Sequence, residues 1–335
     1  MSRVLNQPAL VQEKTRAHVL ETIRQADYSP QQRKPRSPGD RAANVLLFLF
    51  DEADYGFYEA IISGFEASLS PVYTMLYCPL APEPRRRDAQ IEAALNLYPK
   101  GIVYALRDFL PGQIELFQQR HIPFLLARKY DDAPASYSCC YVDFTVGSYR
   151  MTRHLLSLGL KKVVLLVEKA SFQFVASFCG GWKRAYFESE LPYDESWIVH
   201  TPNTVEGGYR KATELLLGAD GPDAFFCASN EMAFGVLRAA RDMGIPVPER
   251  LAIAGFTDSA VADLSEPALT TIRQPIRQLG AMAARMLLDL IERPDQERLQ
   301  PQEIMLQPQL CIRKTCGGEQ TTGEGAGSAV GDDGR

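Results

Sequence analysis

"AFFCASNEMAFGVLRAARDMGIPVPERLAIAGF", residues 224–256, places a helical window between two short apolar runs. The runs, "AFFCAS" and "LAIAGF", have the length and the apolar composition of buried strands. Two parallel strands need a long crossover between them, and a helix usually provides it. The stretch therefore predicts a strand, helix, strand unit of a parallel sheet.

The same alternation fills most of the chain after position 43 and falls into two sets. The strand candidates of the first set are Val45–Phe50, Val72–Tyr77, Gly101–Leu106, Pro123–Ala127 and Ser138–Val142. Those of the second set are Val163–Val167, Ser196–His200, Ala224–Ser229 and Leu251–Phe256. Phe57–Leu69 is a helix candidate, since its apolar residues recur at helical spacing. The pattern predicts an α/β fold with two doubly wound, Rossmann-like subdomains and a ligand cleft at the carboxyl ends of the strands.

Composition excludes several classes of protein. The 335 residues are 46% hydrophobic and 23% charged, as in globular proteins, and no apolar run approaches the roughly 20 residues of a membrane span. We find no pattern of a secretory leader and expect a cytoplasmic protein. Seven cysteines without a C-x-x-C pair and four scattered histidines predict no metal site and no cofactor. Neither a G-x-S-x-G elbow nor a phosphate-binding G-x-x-x-x-G-K-(S/T) loop is present, which disfavours an enzyme.

Charge is distributed unevenly along the chain. Residues 1–43 contain eight Lys or Arg against four Asp or Glu, a net charge of +4. The whole chain has a net charge of −5, so the remainder has −9. A basic N-terminal segment followed by an acidic remainder suggests that the segment binds an anion. A solvated linker would have the same composition.

Four motifs follow one another along the chain: "SRVLN" near the start, "VDFTVGSYRMTRHLLSLGLKKVVLL" (142–166), "FFCASNEMAFGVLRAARDMGIPVPERLAIAGFTDS" (225–259) and "LTTIRQPIRQLGAMAARMLLDLI" (269–291). In this order they resemble the motifs of the lactose and galactose repressor (LacI/GalR) family of bacterial transcription regulators. The resemblance covers about residues 1–316. It implies a helix-turn-helix headpiece followed by an effector domain similar to type I periplasmic binding proteins.

The resemblance also implies domain boundaries. Residues 1–30 correspond to a partial headpiece and 44–316 to the effector domain. The composition predicts a proline-interrupted linker at 31–43 and a glycine-rich disordered tail at 317–335. The N-terminal subdomain is expected at about 44–145 plus 275–300, and the C-terminal subdomain at about 146–274 plus 301–316. Because the first headpiece helix has no counterpart in the sequence, we hypothesise that the reading frame starts upstream of Met1. Translating the upstream DNA tests this.

The resemblance assigns DNA contacts to the headpiece and the linker. The residues expected near DNA are Ser2, Arg3, Asn6, Thr15 and Arg16. In the linker, the place of the family's groove-inserting leucine falls at Ser37, between Pro35 and Pro38. Proline disfavours a helix there, so we expect Arg33, Lys34 and Arg36 to act instead as flexible phosphate contacts.

The resemblance also assigns an effector site. The expected lining is Tyr55, Phe57, Tyr58, Asp143, Phe144, Phe172, Phe178, Asn203, Asn230 and Asp258. Phe57, Tyr58 and Phe172 could instead be packing residues. Phe178 replaces an arginine that binds ligand in many relatives, while Asn230 and Asn203 replace an aspartate and an aromatic residue. These three substitutions disfavour a hydroxyl-rich sugar at those positions, and we expect a less polar or aromatic effector.

The sequence thus predicts an effector-responsive regulator that represses a catabolic operon. The predicted partners are operator DNA, a small-molecule effector and a second copy of the chain, without a membrane. One alternative is a cytosolic small-molecule sensor that has lost DNA binding. A periplasmic solute receptor and an enzyme are further alternatives, disfavoured by the missing leader and by the missing catalytic motifs.

Overall fold

The computed structural model describes residues 44–52, 55–168, 173–292 and 300–317, without the side chains of residues 55–57 and 173. The predicted headpiece and linker lie outside these residues, and so does all but the first residue of the predicted tail. Strands and helices alternate through the described part. The strands are β1 Val45–Asp51, β2 Thr74–Leu80, β3 Gly101–Tyr104, β4 Phe124–Leu126, β5 Cys139–Val142, β6 Val163–Val167, β7 Ile198–His200, β8 Ala224–Cys227, β9 Ala252–Ala254, β10 Thr271–Arg273, β11 Glu303–Leu306 and β12 Gln309–Cys311. The helices are α1 Tyr55–Glu66, α2 Pro84–Leu95, α3 Pro111–Gln119, α4 Phe144–Ser157, α5 Gln173–Glu188, α6 Val205–Leu216, α7 Asn230–Asp242, α8 Ala260–Leu264 and α9 Ile276–Glu292.

The first lobe is built on a six-stranded parallel sheet in the order β11-β5-β4-β3-β1-β2. Strand β1 shows why both faces are covered. Its residues Leu46, Phe48 and Phe50 pack against α1 and α9, while Leu47 and Leu49 pack on the other face against α2 and α3. Successive side chains of a strand point to opposite faces, so an unbroken apolar run fits a strand buried on both sides.

Helices α1 and α9 cross at unusually close range through two glycines. A Cβ atom on Gly64 would lie 1.9 Å from the Arg277 carbonyl oxygen, and one on Gly280 would lie 1.9 Å from the Ile61 carbonyl oxygen. Only glycine leaves room for backbone at that separation. The two positions therefore fix the depth at which the long helix α9 packs against the first lobe.

The second lobe repeats the design with a four-stranded parallel sheet in the order β7-β6-β8-β9. Helices α4 and α5 cover one face, where Trp182 and Tyr186 are fully buried. Helices α6 and α7 cover the other face and cross at Gly208 and Gly235. Two doubly wound α/β lobes, as predicted, are confirmed.

The chain crosses between the lobes three times, after β5, after β10 and after β11. The third crossing lies inside residues 301–316, all of which were predicted to belong to the C-terminal subdomain. That predicted boundary is wrong. Strand β11 pairs in parallel with β5 and so belongs to the first lobe. The chain enters the second lobe only with β12, which pairs antiparallel with β10. Neither β10 nor β12 is among the strand candidates of the sequence, because three residues are too few to show a pattern.

Several predicted element bounds were shifted by local interactions. Strand β2 begins at Thr74, because the Tyr73 N–H donates to the Ser70 carbonyl in a turn, and it continues through Pro79. Proline is tolerated there because β2 is an edge strand. Strand β8 ends before Ser229, whose hydroxyl accepts from the Met232 N–H and caps α7. None of the helices in the described part of the chain has the length and apolar composition that a bilayer crossing requires.

Candidate functional site

A cavity of about 250 Å³ lies between the two lobes, at the carboxyl ends of β3, β4 and β5. This is where open parallel sheets bind their ligands. The first lobe and its crossovers contribute Tyr58, Arg107, Ala127, Arg128, Lys129, Asp131, Tyr141, Val142, Asp143, Gln274 and Leu279. The second lobe contributes Phe144, Thr145, Phe174 and Ser177. Residues of both lobes therefore face the same cavity.

Tyr58 and Arg128 form the first-lobe wall. Tyr58 is 1% exposed, and its hydroxyl donates to the carbonyl oxygen of Ala105. The Arg128 guanidinium donates to that hydroxyl from Nε at 3.0 Å and from Nη2 at 2.8 Å, and it lies over the tyrosine ring. The Tyr58 ring is thus held rigidly, with both polar functions of its hydroxyl in use.

Arg107 connects the lobes across the cavity. Its backbone N–H donates to Asp51 of β1 at 2.6 Å, which fixes the residue to the first lobe. Its guanidinium pairs with Glu168, which follows β6 of the second lobe, at 3.2 Å. The same group lies 5.9 Å from the ring centroid of Phe174. Glu168 and Phe174 both belong to the second lobe, so the Arg107 side chain links the two lobes.

A second charged cluster surrounds Glu303 of β11, whose partners Lys129 and Tyr141 line the cavity. Its carboxylate accepts from Lys129 at 2.8 Å and from the Tyr141 hydroxyl at 2.6 Å. The hydrogen bond from Lys129 lowers the pKa of Glu303, and the bond to Glu303 raises the pKa of Lys129. Burial, followed by the hydrogen bond to Glu303, raises the pKa of Tyr141. All three groups keep their usual charge states at neutral pH.

Asp143 and Gln274 place hydrogen-bond acceptors at two of the crossovers. Asp143 caps α4 by accepting from the Val146 N–H at 3.1 Å. Gln274 is 9% exposed, and its Oε1 accepts no hydrogen bond from any residue that the structure describes. A buried acceptor without a partner costs about 1 to 3 kcal/mol, so the Gln274 amide needs a donor from elsewhere.

The structure brings three of the predicted effector residues to this cavity: Tyr58, Asp143 and Phe144. Phe178 is 2% exposed and packs against Phe144 and Phe256, with ring centroids 5.6 Å and 4.5 Å away. It therefore belongs to the second-lobe core in this structure. The side chains of Tyr55 and Phe57 lie outside the described residues, as do Phe172 and every predicted DNA-binding residue.

The remaining predicted positions are absent from the lining of the cavity. Asn203 accepts from the Ser229 hydroxyl. Asn230 is 4% exposed and donates to the Thr257 carbonyl at 2.6 Å. Asp258 pairs with Arg313 at 2.5 Å and with Arg273 at 2.6 Å. Each of these side chains thus has a partner within the second lobe, but the Asn230 Oδ1 accepts no hydrogen bond from the described residues.

Sequence reasoning missed eight polar residues of the lining: Arg107, Arg128, Lys129, Asp131, Tyr141, Thr145, Ser177 and Gln274. A signal existed for the first three, because each follows an apolar strand at the edge where ligands bind. Arg107 comes directly after "GIVYAL", and Arg128 and Lys129 come directly after "PFLLA". Gln274 stands inside the family motif "IRQP", where only its burial distinguishes it.

Comparisons with known proteins agree with this architecture. A family model described as a periplasmic binding protein-like domain matches residues 152–316. The HTH-type transcriptional regulator DegA of Bacillus subtilis (strain 168) is 27% identical over 319 residues, covering 93% of this chain and 92% of its own. The HTH-type transcriptional repressor PurR of Klebsiella pneumoniae (strain 342) is 28% identical over 318 residues, covering 94% and 92%.

Solved structures of transcriptional regulators superpose on this chain. The transcriptional regulator CelR in complex with cellobiose superposes with a TM-score of 0.74 at 24% identity, covering 94% of both chains. A LacI family transcriptional regulator from Enterococcus faecium with bound ribose superposes with a TM-score of 0.70 at 23% identity, covering 81% of this chain and 98% of its own. These neighbours share the two-lobed fold. Relatives named as HTH-type transcriptional regulators and repressors support the assignment of this chain to the transcriptional regulators of the LacI/GalR family.

Proposed function

We propose that the protein is a repressor of a catabolic operon that binds operator DNA as a homodimer in the cytoplasm and responds to a small molecule held between its lobes. The observation that carries this proposal is the cavity itself, since groups from both lobes converge on it. A repressor is named among the relatives, and two structural neighbours are described with a bound sugar.

The mechanism follows from the geometry of the crossovers. A ligand that contacts Tyr58 on one side and Phe174 on the other binds best at one separation of the lobes. Such a ligand favours that separation in proportion to its difference in affinity for the two states. In a dimer, a changed lobe separation would change the spacing of the two DNA-binding heads, and half-site spacing decides operator affinity.

Capture of genomic DNA by the full chain tests the proposal. We expect enrichment of a few fragments that lie upstream of catabolic genes, and their release by a metabolite that also raises the melting temperature. The control is a protein sample denatured before capture. Retention of genomic fragments without enrichment of any sequence would contradict the proposal and favour a sensor without operator recognition.

The linker prediction has its own test, although its residues lie outside the described part. Replacing Arg33, Lys34 and Arg36 together with alanine should weaken binding to operator and to random DNA by similar factors. Removing one cation from a phosphate should lower the slope of log affinity against log salt by about 0.9, so the triple variant should show a slope lower by up to about 2.7. Fluorescence anisotropy at several salt concentrations measures both quantities. Weaker binding to the operator alone would refute phosphate contact.

A further inference from the structure

An ion pair joins the two lobes directly. Arg107, which follows β3 of the first lobe, pairs at 3.2 Å with Glu168, which follows β6 of the second lobe. The Arg107 guanidinium also lies 5.9 Å from the ring centroid of Phe174 in α5. The Lys129–Glu303 pair, by contrast, stays within the first lobe. Arg107 and Glu168 therefore make a contact that exists only while the lobes stand close together.

The backbones of both partners are held by their own lobes. The Arg107 N–H donates to the carboxylate of Asp51, the last residue of β1, at 2.6 Å. The Glu168 carbonyl oxygen accepts from Nδ1 of His200, the last residue of β7, at 2.5 Å. Each residue thus moves with its lobe, so the distance between the two side chains follows the separation of the lobes.

The ion pair lies at some distance from the crossovers of the chain. The chain leaves the first lobe after β5 and after β11, which are neighbours at one edge of the sheet, and β3 lies two strands away from β5. Neighbouring strands are about 4.8 Å apart, so the end of β3 lies about 10 Å from these crossovers. A hinge rotation of about 15° would move a group at that distance by about 2.6 Å. Such a displacement takes a pair at 3.2 Å beyond hydrogen-bonding distance.

Partial burial strengthens the dependence of the pair on lobe separation. The exposed fractions of the side chains are 19% for Arg107 and 15% for Glu168. Solvent therefore screens their attraction less than that of a fully exposed pair. Some contact with water remains, which limits the desolvation cost that a fully buried pair incurs. When the lobes move apart, both side chains become hydrated and the attraction weakens, so the pair favours the present separation.

We propose that Arg107 and Glu168 form an electrostatic latch that holds the two lobes at the separation seen here before any ligand binds. The latch decides which separation the free protein populates most. A ligand that prefers another separation then has to overcome the latch in proportion to its difference in affinity for the two states. The inference goes beyond the proposed function, because it requires neither an operator nor a particular effector.

Distance measurements between the lobes of the full chain test the latch. Spin labels are attached to noncanonical residues at Glu115 on α3 and at Arg210 on α6, both of which are exposed, because the seven native cysteines preclude thiol labelling. Dilution into an excess of unlabelled chain restricts the measured distances to labels within one chain. In Glu168→Gln, the population in which the inter-lobe distance differs from that of the main parent population should rise about threefold, since a partly exposed ion pair has an effect of this size on a two-state equilibrium.

An ion pair within the second lobe provides the matched control. Lys183 and Glu195 pair at 2.6 Å, and Glu195 is 71% exposed, so Glu195→Gln makes the same chemical change without touching the other lobe. It should keep the distance distribution of the parent. The same distribution in Glu168→Gln and in Glu195→Gln would overturn the proposal.

The double variant distinguishes a latch from two independent effects. Arg107→Gln removes the same pair from the first lobe, and it tests the latch by itself if Glu168→Gln does not fold. Effects of two residues that act through one contact do not add. The Arg107→Gln/Glu168→Gln variant should therefore shift the distribution no further than the single variant with the larger shift. Additive shifts would show that the two residues act separately, and the latch would be refuted.

Discussion

Gly280→Ala is expected to destabilise the protein by about 3 kcal/mol. The added methyl carbon would lie 1.9 Å from the Ile61 carbonyl oxygen and 2.8 Å from the Phe65 backbone nitrogen. Both neighbours are backbone atoms of α1, which cannot turn aside as a flexible side chain does. Helix α9 must therefore move away from α1, which also disrupts the packing around Leu279 and Ala283. Overpacking of this kind commonly costs 1 to 3 kcal/mol.

Urea denaturation followed by circular dichroism measures this effect. Gly112→Ala in α3 is the matched control, because a Cβ there meets nothing within 4 Å. Alanine is the better helix former by up to about 1 kcal/mol, so the control should be unchanged or slightly more stable. The two substitutions are chemically identical, and only Gly280→Ala is expected to destabilise the protein. Equal free energies of unfolding for both variants would show that α1 and α9 do not meet at this distance.

Asp258→Asn is expected to cost about 3 kcal/mol of stability. Asp258 and Arg313 are 11% and 10% exposed at their side chains, and Arg273 donates to the same carboxylate. The Arg313 guanidinium also donates to the Leu269 carbonyl, so this cluster ties the C-terminal segment to the second lobe. Removing one partner of a buried ion pair typically costs 3 to 5 kcal/mol, and the low end applies here because Arg313 keeps Asp263 as a partner at 3.0 Å.

The pH dependence of this destabilisation identifies its source. Burial raises the pKa of Asp258, but hydrogen bonds from Arg313 and Arg273 outweigh burial, and the net pKa is lowered. The carboxylate therefore stabilises the folded protein fully at a pH above the pKa of an aspartate in the unfolded chain, about 3.9. This stabilisation is lost as the pH falls through the lower pKa of Asp258 in the folded protein. The difference in free energy of unfolding between the parent and Asp258→Asn should stay constant from pH 7 to pH 5 and become smaller at pH 3.5.

An exposed ion pair provides the control. Glu214 pairs with Lys211 at 2.7 Å but is 61% exposed, so Glu214→Gln should cost less than about 1 kcal/mol. The sequence-based prediction placed Asp258 in the effector site, and an effector-binding role would leave the stability of the free protein almost unchanged. A destabilisation no larger than that of Glu214→Gln would therefore restore the effector assignment.

Local sequence patterns were sufficient for the fold. Apolar runs such as "VLLFLF" and "VVLLV" can be buried on both faces only in a parallel sheet covered by helices, and both form central strands. The sequence-based prediction was wrong where pairing with a distant strand, and not the local apolar pattern, creates a strand. Strand β11 has alternating exposed and half-buried residues and becomes a strand only because β5 offers an open edge.

The site divides in the same way. Tyr58, Asp143 and Phe144 could be predicted to line the cavity because motif and position after a strand both point to them. Gln274 could not be predicted in this way. Whether its side-chain oxygen finds a donor depends on the residues packed around it, and these are distant from it in the sequence. By itself the sequence determined two βα lobes and the sheet edge at which the cavity lies, because these depend on short-range periodicity and motif order. Only the tertiary structure decided which polar groups satisfy one another and which face the cavity, because hydrogen bonding and charge pairing depend on distances that no local pattern encodes.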